Sequence, residues 1–220
     1  MKRIVTHLIK LQQELQQLAN PKQKEILQRF FKTGVGEYGE GDVFIGVRVP
    51  EQRKVAKQFM DLSLEDTKEL INSKIHEHRL TALLILVQKF EKADEKLQKR
   101  IIDLYIKNTQ YINNWDLVDL SAPKLLGEYL VDKDRRILYK LARSKSLWEK
   151  RIAILSTYAF IRNKNFDDAL KLSEILLYEK HDLMHKAVGW MLREIGNRDL
   201  AAEERFLKKY YKQMPRTMLR

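Results

Sequence analysis

Three short stretches of this 220-residue chain combine aromatic, acidic and basic side chains at spacings that a helix brings to one face. In the stretch NNWDLVD (113–119), Trp115 and Asp119 stand four apart. A helix beginning near Trp115 sets them one turn apart on one face and turns Leu117 and Val118 toward the core. Asn113 or Asn114 can cap that helix, and Asp116 reads as a residue of its start. An aromatic plate beside a carboxylate can hold an apolar or cationic group against a negative charge. The same residues also fit an Asp favoured by the helix dipole and a tryptophan in the core. In LWEKR (147–151), Arg151 opens a nearly all-apolar run, and its planar fork suits a phosphate or the carboxylate of a neighbouring helical pair. Trp148 reads as core. In HKAVGWMLRE (185–194), Lys186, Trp190 and Arg193 fall at i, i+4 and i+7, a basic stripe with an aromatic in it. That is a nucleic-acid pattern, although Trp190 also suits a core. Gly189 inside this helix costs about 1 kcal/mol relative to Ala, which implies close approach of another backbone or of a ligand. His76 and His78 are two apart and cannot share a helical face. His181 and His185 are four apart but lack an acidic partner at a suitable spacing, so no metal site is read.

The elements that must position these residues are helical. Only eight glycines and four prolines occur, and five of the glycines lie between Gly34 and Gly46. Residues 33–50 read as one irregular loop that ends at Pro50. It lacks the spacing of the known glycine-rich phosphate loops and serves as a connector, with Arg48 as a phosphate contact. Residues 83–87 (LLILV) and 152–161 are apolar nearly all round, as in helices buried between neighbours. More polar helices alternate with them near 63–73, 93–108, 132–143 and 167–178. Residues 61–66 and 163–168 read as helix starts, with caps and early acidic side chains. Arg79, Arg151 and Lys186 each open an apolar run, at gaps of 72 and 35 residues. A unit of about 36 residues describes a HEAT-like helical pair, and such units stack into a curved solenoid with one concave face. The expected architecture is all-α, a single HEAT-like repeat domain over 1–220. The last residues, MPRTMLR, read as the start of a further helix, truncated or frayed.

Composition narrows the function. With no cysteine, a disulfide scaffold, a thiol nucleophile and a cysteine-ligated zinc are ruled out. No apolar run is long enough to span a bilayer. The start, MKRIVTHLIKLQQELQQ, is amphipathic and unlike a signal peptide. The chain reads as a soluble cytoplasmic monomer. Its net charge of +12 points to a polyanionic partner. Residues 1–134 carry 22 basic and 20 acidic side chains, net +2, and residues 135–220 carry 20 and 10, net +10. A phosphate backbone is therefore expected to lie mainly against the second part.

Taken together, WDLVD (115–119), LWEKRIAIL (147–155) and KAVGWMLRE (186–194), preceded by FIGVRVPEQRK (44–54), resemble the AlkD-like DNA alkylation repair family of HEAT-like-repeat DNA glycosylases. The resemblance runs over nearly the whole chain. It implies a right-handed α-solenoid of helical repeats that grips duplex DNA in a basic concave groove. The implied activity is release of cationic alkylpurines, such as 3-methyladenine and 7-methylguanine, by hydrolysis of the N-glycosidic bond. By the same resemblance Asp119, and not Asp116, is the catalytic carboxylate, and Trp115 and Trp190 flank the lesion nucleotide. Arg151 is the phosphate contact, joined by Lys186, Arg193 and Arg48 as DNA-binding residues. Arg48 departs from the glutamine of some members, which bears on contacts to the strand opposite the lesion. The implied partner is double-stranded DNA containing alkylated purines, with no metal and no organic cofactor. Two other readings fit the charge and the repeats: a non-catalytic protein for distorted or branched DNA, and a protein-interaction scaffold. Retention of Asp119 with both tryptophans favours the enzyme.

Overall fold

The computed structural model describes residues 7–219. The first six residues of the amphipathic start lie outside them, as does Arg220. The described residues form helices joined by turns and loops, and their contacts group into two compact units, Met1–Leu117 and Val118–Arg220. The first holds α1 (His7–Gln17), α2 (Pro21–Phe30), α3 (Val49–Gln58), α4 (Leu64–Ile71), α5 (His76–Lys92) and α6 (Glu95–Lys107). A short α7 (Trp115–Asp119) begins in the first unit and ends in the second. The second continues with α8 (Arg136–Ala142), α9 (Leu147–Ser156), α10 (Tyr158–Arg162), α11 (Asp167–Ile175), α12 (Asp182–Gly196) and α13 (Leu200–Tyr210). No helix among the described residues is long and apolar enough to cross a membrane.

Each unit is built around a helix that the sequence marks as apolar on every side. In the first, α5 buries every residue from Leu80 to Val87 and packs on α3 and α4. In the second, α9 buries Arg151 through Ser156 between α8 and α12. Side-chain caps at Asn20, Ser63, Asp94, Ser146 and Asp199 each satisfy an amide at a helix start, and such a cap is worth about 1 kcal/mol.

Several boundaries differ from those the sequence implies. The apolar run 152–161 is two helices, because Ser156 Oγ donates back to the Ile152 carbonyl and Thr157 Oγ1 to that of Ile154. These local bonds compete with the helical ladder and end α9 at Ser156. The helix expected from 132 starts at Arg136. The start near 163–168 lies at Phe166 and has no side-chain cap. Asp168 is drawn off instead by Arg135 (2.7 Å) and by the Tyr139 hydroxyl. Trp148 is half-buried where full burial was expected.

The glycine-rich segment is irregular, as read. It is pinned by one isolated bridge, Val43 to Ile75, and by Glu77. Buried beside the loop, the Glu77 carboxylate accepts from the amides of Ile45 (3.1 Å), Gly46 (2.8 Å) and Val47 (3.2 Å). Gly46 sits at φ +89°, where a side chain would also strike the Asn20 carbonyl.

Among the described residues, 214–219 form no further helix. Residues 214–219 make a turn that seats Met218, 2% exposed, against α12. A Cβ at Gly189 would lie 2.6 Å from the Met218 carbonyl oxygen. The close partner that this glycine implies is thus the chain's own backbone. Gly189→Ala is expected to lower stability by about 1–3 kcal/mol through overpacking, despite the roughly 1 kcal/mol gain in helix propensity. The urea-unfolding midpoint measures this, and a midpoint equal to wild type would mean that the turn yields freely.

Candidate functional site

The short helix α7 carries the first sequence-derived cluster. Asn114 Oδ1 accepts from the Trp115 amide (2.8 Å), and Leu117 and Val118 are fully buried. Trp115 and Asp119 both stay partly exposed, one turn apart on the same helix. The Trp115 ring stacks on Phe31, with centroids 5.2 Å apart and planes 19° apart, and meets the edge of Phe30 at 5.9 Å. Phe30 is 61% exposed at the end of α2. Trp115 is therefore the inner leaf of an aromatic surface whose other members the sequence reading missed. The adjacent Phe30-Phe31 pair at a helix end is the signal that marked them.

Asp119 is gripped by Arg151. The guanidinium donates through Nε to Oδ1 and through Nη2 to Oδ2, both at 2.8 Å, and its Nη1 donates to the Leu183 carbonyl on α12. The two side chains are 6% and 18% exposed. The sequence left phosphate and carboxylate open as partners for this fork, and the structure turns it onto the carboxylate. A planar fork meeting both oxygens fixes the plane of a carboxylate as well as its charge.

On α12, Lys186 is exposed and pairs with Asp182 at 2.7 Å, and Arg193 is exposed. Trp190 between them is half-buried, so it is not simply core. Its Nε1 donates to Glu194 (3.2 Å), and its ring lies 6.1 Å from that of Tyr158. Arg48, exposed at the start of α3, donates through Nε and Nη2 to Gln23 at 3.2 and 3.1 Å. His181 accepts from the Leu183 amide as the cap of α12, and His185 donates to the Glu179 carbonyl. Both rings thus serve the backbone.

Asp116 departs most from its expected role. It is 5% exposed, and its Oδ2 accepts from His76 Nε2 at 2.8 Å. The other ring nitrogen, Nδ1, donates to Asp42 at 3.0 Å. Asp42 further accepts from Arg79 (2.6 Å), Asn113 (3.3 Å) and Asn114 (3.3 Å). Burial pushes the Asp42 carboxyl up, but His76 and Arg79 outweigh it and hold the group below its ordinary range. Burial pulls His76 down, yet the Asp116 charge and the bonds to both carboxylates raise it to about 9. His78 is bonded to Ser73, and burial with Arg79 nearby lowers it to about 4.

The family model of the DNA alkylation repair enzymes matches residues 11–220. The chain belongs to that family. Its structure is similar to that of a predicted DNA alkylation repair enzyme from Enterococcus faecalis, with a TM-score of 0.70 and 17% identity. The likeness covers 91% of this chain and 93% of the other, and it shows a shared fold. No curated protein matches the chain. Membership of this family agrees with the resemblance read from the four motifs and with the all-helical, paired-helix architecture, and it gives the chain a role in the repair of alkylated DNA.

The two histidines of α5 make opposite contributions to the stability of this family member. His76 binds its proton more tightly folded than unfolded. Its contribution is complete below its ordinary value of 6.5 and is lost as pH rises through about 9. His78 is neutral when folded, so stability also falls as pH drops from 6.5 toward 4. Thermal midpoints are expected to peak near pH 6.5. His76→Asn should flatten the alkaline limb and His78→Asn the acid limb. A wild-type midpoint that is level from pH 6.5 to 9 would contradict the charged state of His76.

Proposed function

We propose that this chain is a DNA N-glycosylase that releases cationic N3- and N7-alkylated purines from duplex DNA, 3-methyladenine and 7-methylguanine among them. The observation that carries the reading is the Asp119 carboxylate, fixed by Nε and Nη2 of Arg151, still partly exposed and one helical turn from Trp115. Family membership supports the substrate class.

The chemistry follows from charge. Alkylation at N3 or N7 makes the base a cation, so it departs as a neutral molecule and needs no strong general acid. As the bond to C1′ stretches, positive charge builds on the sugar. A preoriented carboxylate stabilises that charge and directs the attacking water. The negative faces of Trp115 and Trp190 favour the same cation. In this reading Arg151 acts through Asp119 as a positioning residue, while Lys186, Arg193 and Arg48 supply exposed charge for phosphates. Because the aromatic rings address the sugar, discrimination rests on the lability of the lesion itself and not on a pocket that reads a flipped base.

Asp119→Asn is expected to slow single-turnover release of 7-methylguanine by about 10²–10³ with little change in duplex affinity. Near wild-type release by a variant whose melting curve shows it folded would reject the role. The assay also separates the enzyme from a non-catalytic DNA-binding relative, for which wild type would release no base at all. A second panel uses duplexes with single lesions of matched size. The expected outcome is activity on cationic lesions and little on uracil or hypoxanthine, with Trp115→Ala and Trp190→Ala slowing every cationic substrate alike. Efficient uracil release would instead point to a closed pocket that reads the base.

A further inference from the structure

We propose that His76 is a positioning residue for the reaction: bridging Asp42 and Asp116, it sets the direction of α7 and, through Phe31, the plane of the Trp115 ring. The inference rests on the reading of Trp115 and Asp119 as residues of the reaction site.

Five residues of helix cannot hold a direction by their own hydrogen bonds. The start of α7 is held from outside. His76 Nε2 donates to Asp116 Oδ2, while Asp116 Oδ1 accepts from the Leu117 amide at 2.9 Å. His76 Nδ1 donates to Asp42, and Asp42 accepts from Asn113 and Asn114, the two residues just before α7. Asn114 in turn takes the Trp115 amide. One imidazole thus reaches the beginning of the helix by two routes. A third route runs through ring faces. His76 stacks on Phe44, with centroids 4.4 Å apart and planes 20° apart, and lies 5.1 Å from Phe31, the ring on which Trp115 is stacked.

This geometry needs the imidazolium. A neutral ring donates from one nitrogen only, so the lone pair of the other nitrogen would face a carboxylate. The charged groups that face His76 are Asp42 from the loop, Asp116 from α7 and Arg79 from α5. Glu77 on α5 is turned to the amides of residues 45–47, and His78 to Ser73. Two cations and two anions therefore balance inside a buried cluster, which is what keeps such a cluster tolerable. The His76 value of about 9 is the titration counterpart of the double bridge. When the proton leaves, one carboxylate loses its donor, and either α7 or the 113–114 turn must shift.

The test compares wild type with His76→Asn, which keeps one donor and removes the charge. Single-turnover release of 7-methylguanine by the variant is expected to fall by about 10²-fold, the order that a misplacement of about 1 Å costs, with duplex affinity unchanged. The wild-type rate should fall along an alkaline limb with a midpoint near 9. That limb should be absent from the variant, which also serves as the control for alkaline change in the lesion itself. A variant with the wild-type rate and pH profile overturns the proposal. A measurement without DNA or activity decides it even if the variant does not fold. In wild type, NMR should show both His76 nitrogens protonated at pH 7, and the Trp115 indole resonance should move with the His76 titration. A neutral tautomer at pH 7, or an indole unmoved by that titration, overturns the positioning role. If wild type releases no base, the glycosylase reading fails, and the NMR result still judges the clamp.

Discussion

A carboxylate drawn out of water must find hydrogen-bond donors, and α7 carries two carboxylates, three residues apart, that find cationic ones. Asp116 meets His76, and Asp119 meets the fork of Arg151. The helix between them is too short to be stable alone, and its apolar residues, Leu117 and Val118, bury only one face. Each of its ends carries an ionic pair of its own. Trp115 comes along because its amide and its ring are tied to the same surroundings. Removing one member of such a buried pair strands the other charge, which typically costs about 3–5 kcal/mol. Position and stability are thus linked at this helix in a way that surface pairs such as Lys186–Asp182 do not share.

The roles of the two acids follow from how each is held. Asp116 sits in a cluster with balanced charge and serves as a structural anchor. Asp119 keeps part of its surface open while its plane is fixed. Assigning the chemistry to Asp119 therefore rests on exposure and on the rigidity of its partner as much as on its place in the motif. Arg151, beside the proposed site, is engaged within the protein. Its donors are turned to a carboxylate and a backbone carbonyl.

Much of this was legible in the residues. The apolar runs that became α5 and α9, the Ser63 cap, the start of α7 near Trp115 and the crowding at Gly189 all arise from local spacing and local chemistry. Thr157 and Ser156 escaped because hydroxyls inside an apolar run read as tolerated until their bonds to the preceding turn are seen. The Asp42–His76–Asp116 bridge escaped for a different reason. Its members are 34 and 40 residues apart, and spacing within a helix carries no record of which polar groups meet across helices. Taken within its own helix, His76 offers only a metal ligand beside His78. The partners that decide its charge come from a loop and from another helix.

The Glu77 carboxylate gives the glycine-rich segment its own internal anion. Loops of this kind in nucleotide-binding proteins point successive amides at a phosphate brought by the ligand. Here the amides of Ile45, Gly46 and Val47 are occupied by a side chain 30 to 32 residues further along. Those amides are satisfied within the fold and need no ligand to order them. The loop's glycines give access to an internal guest, so a scan for phosphate loops that counted glycines alone would mistake a finished joint for an empty socket.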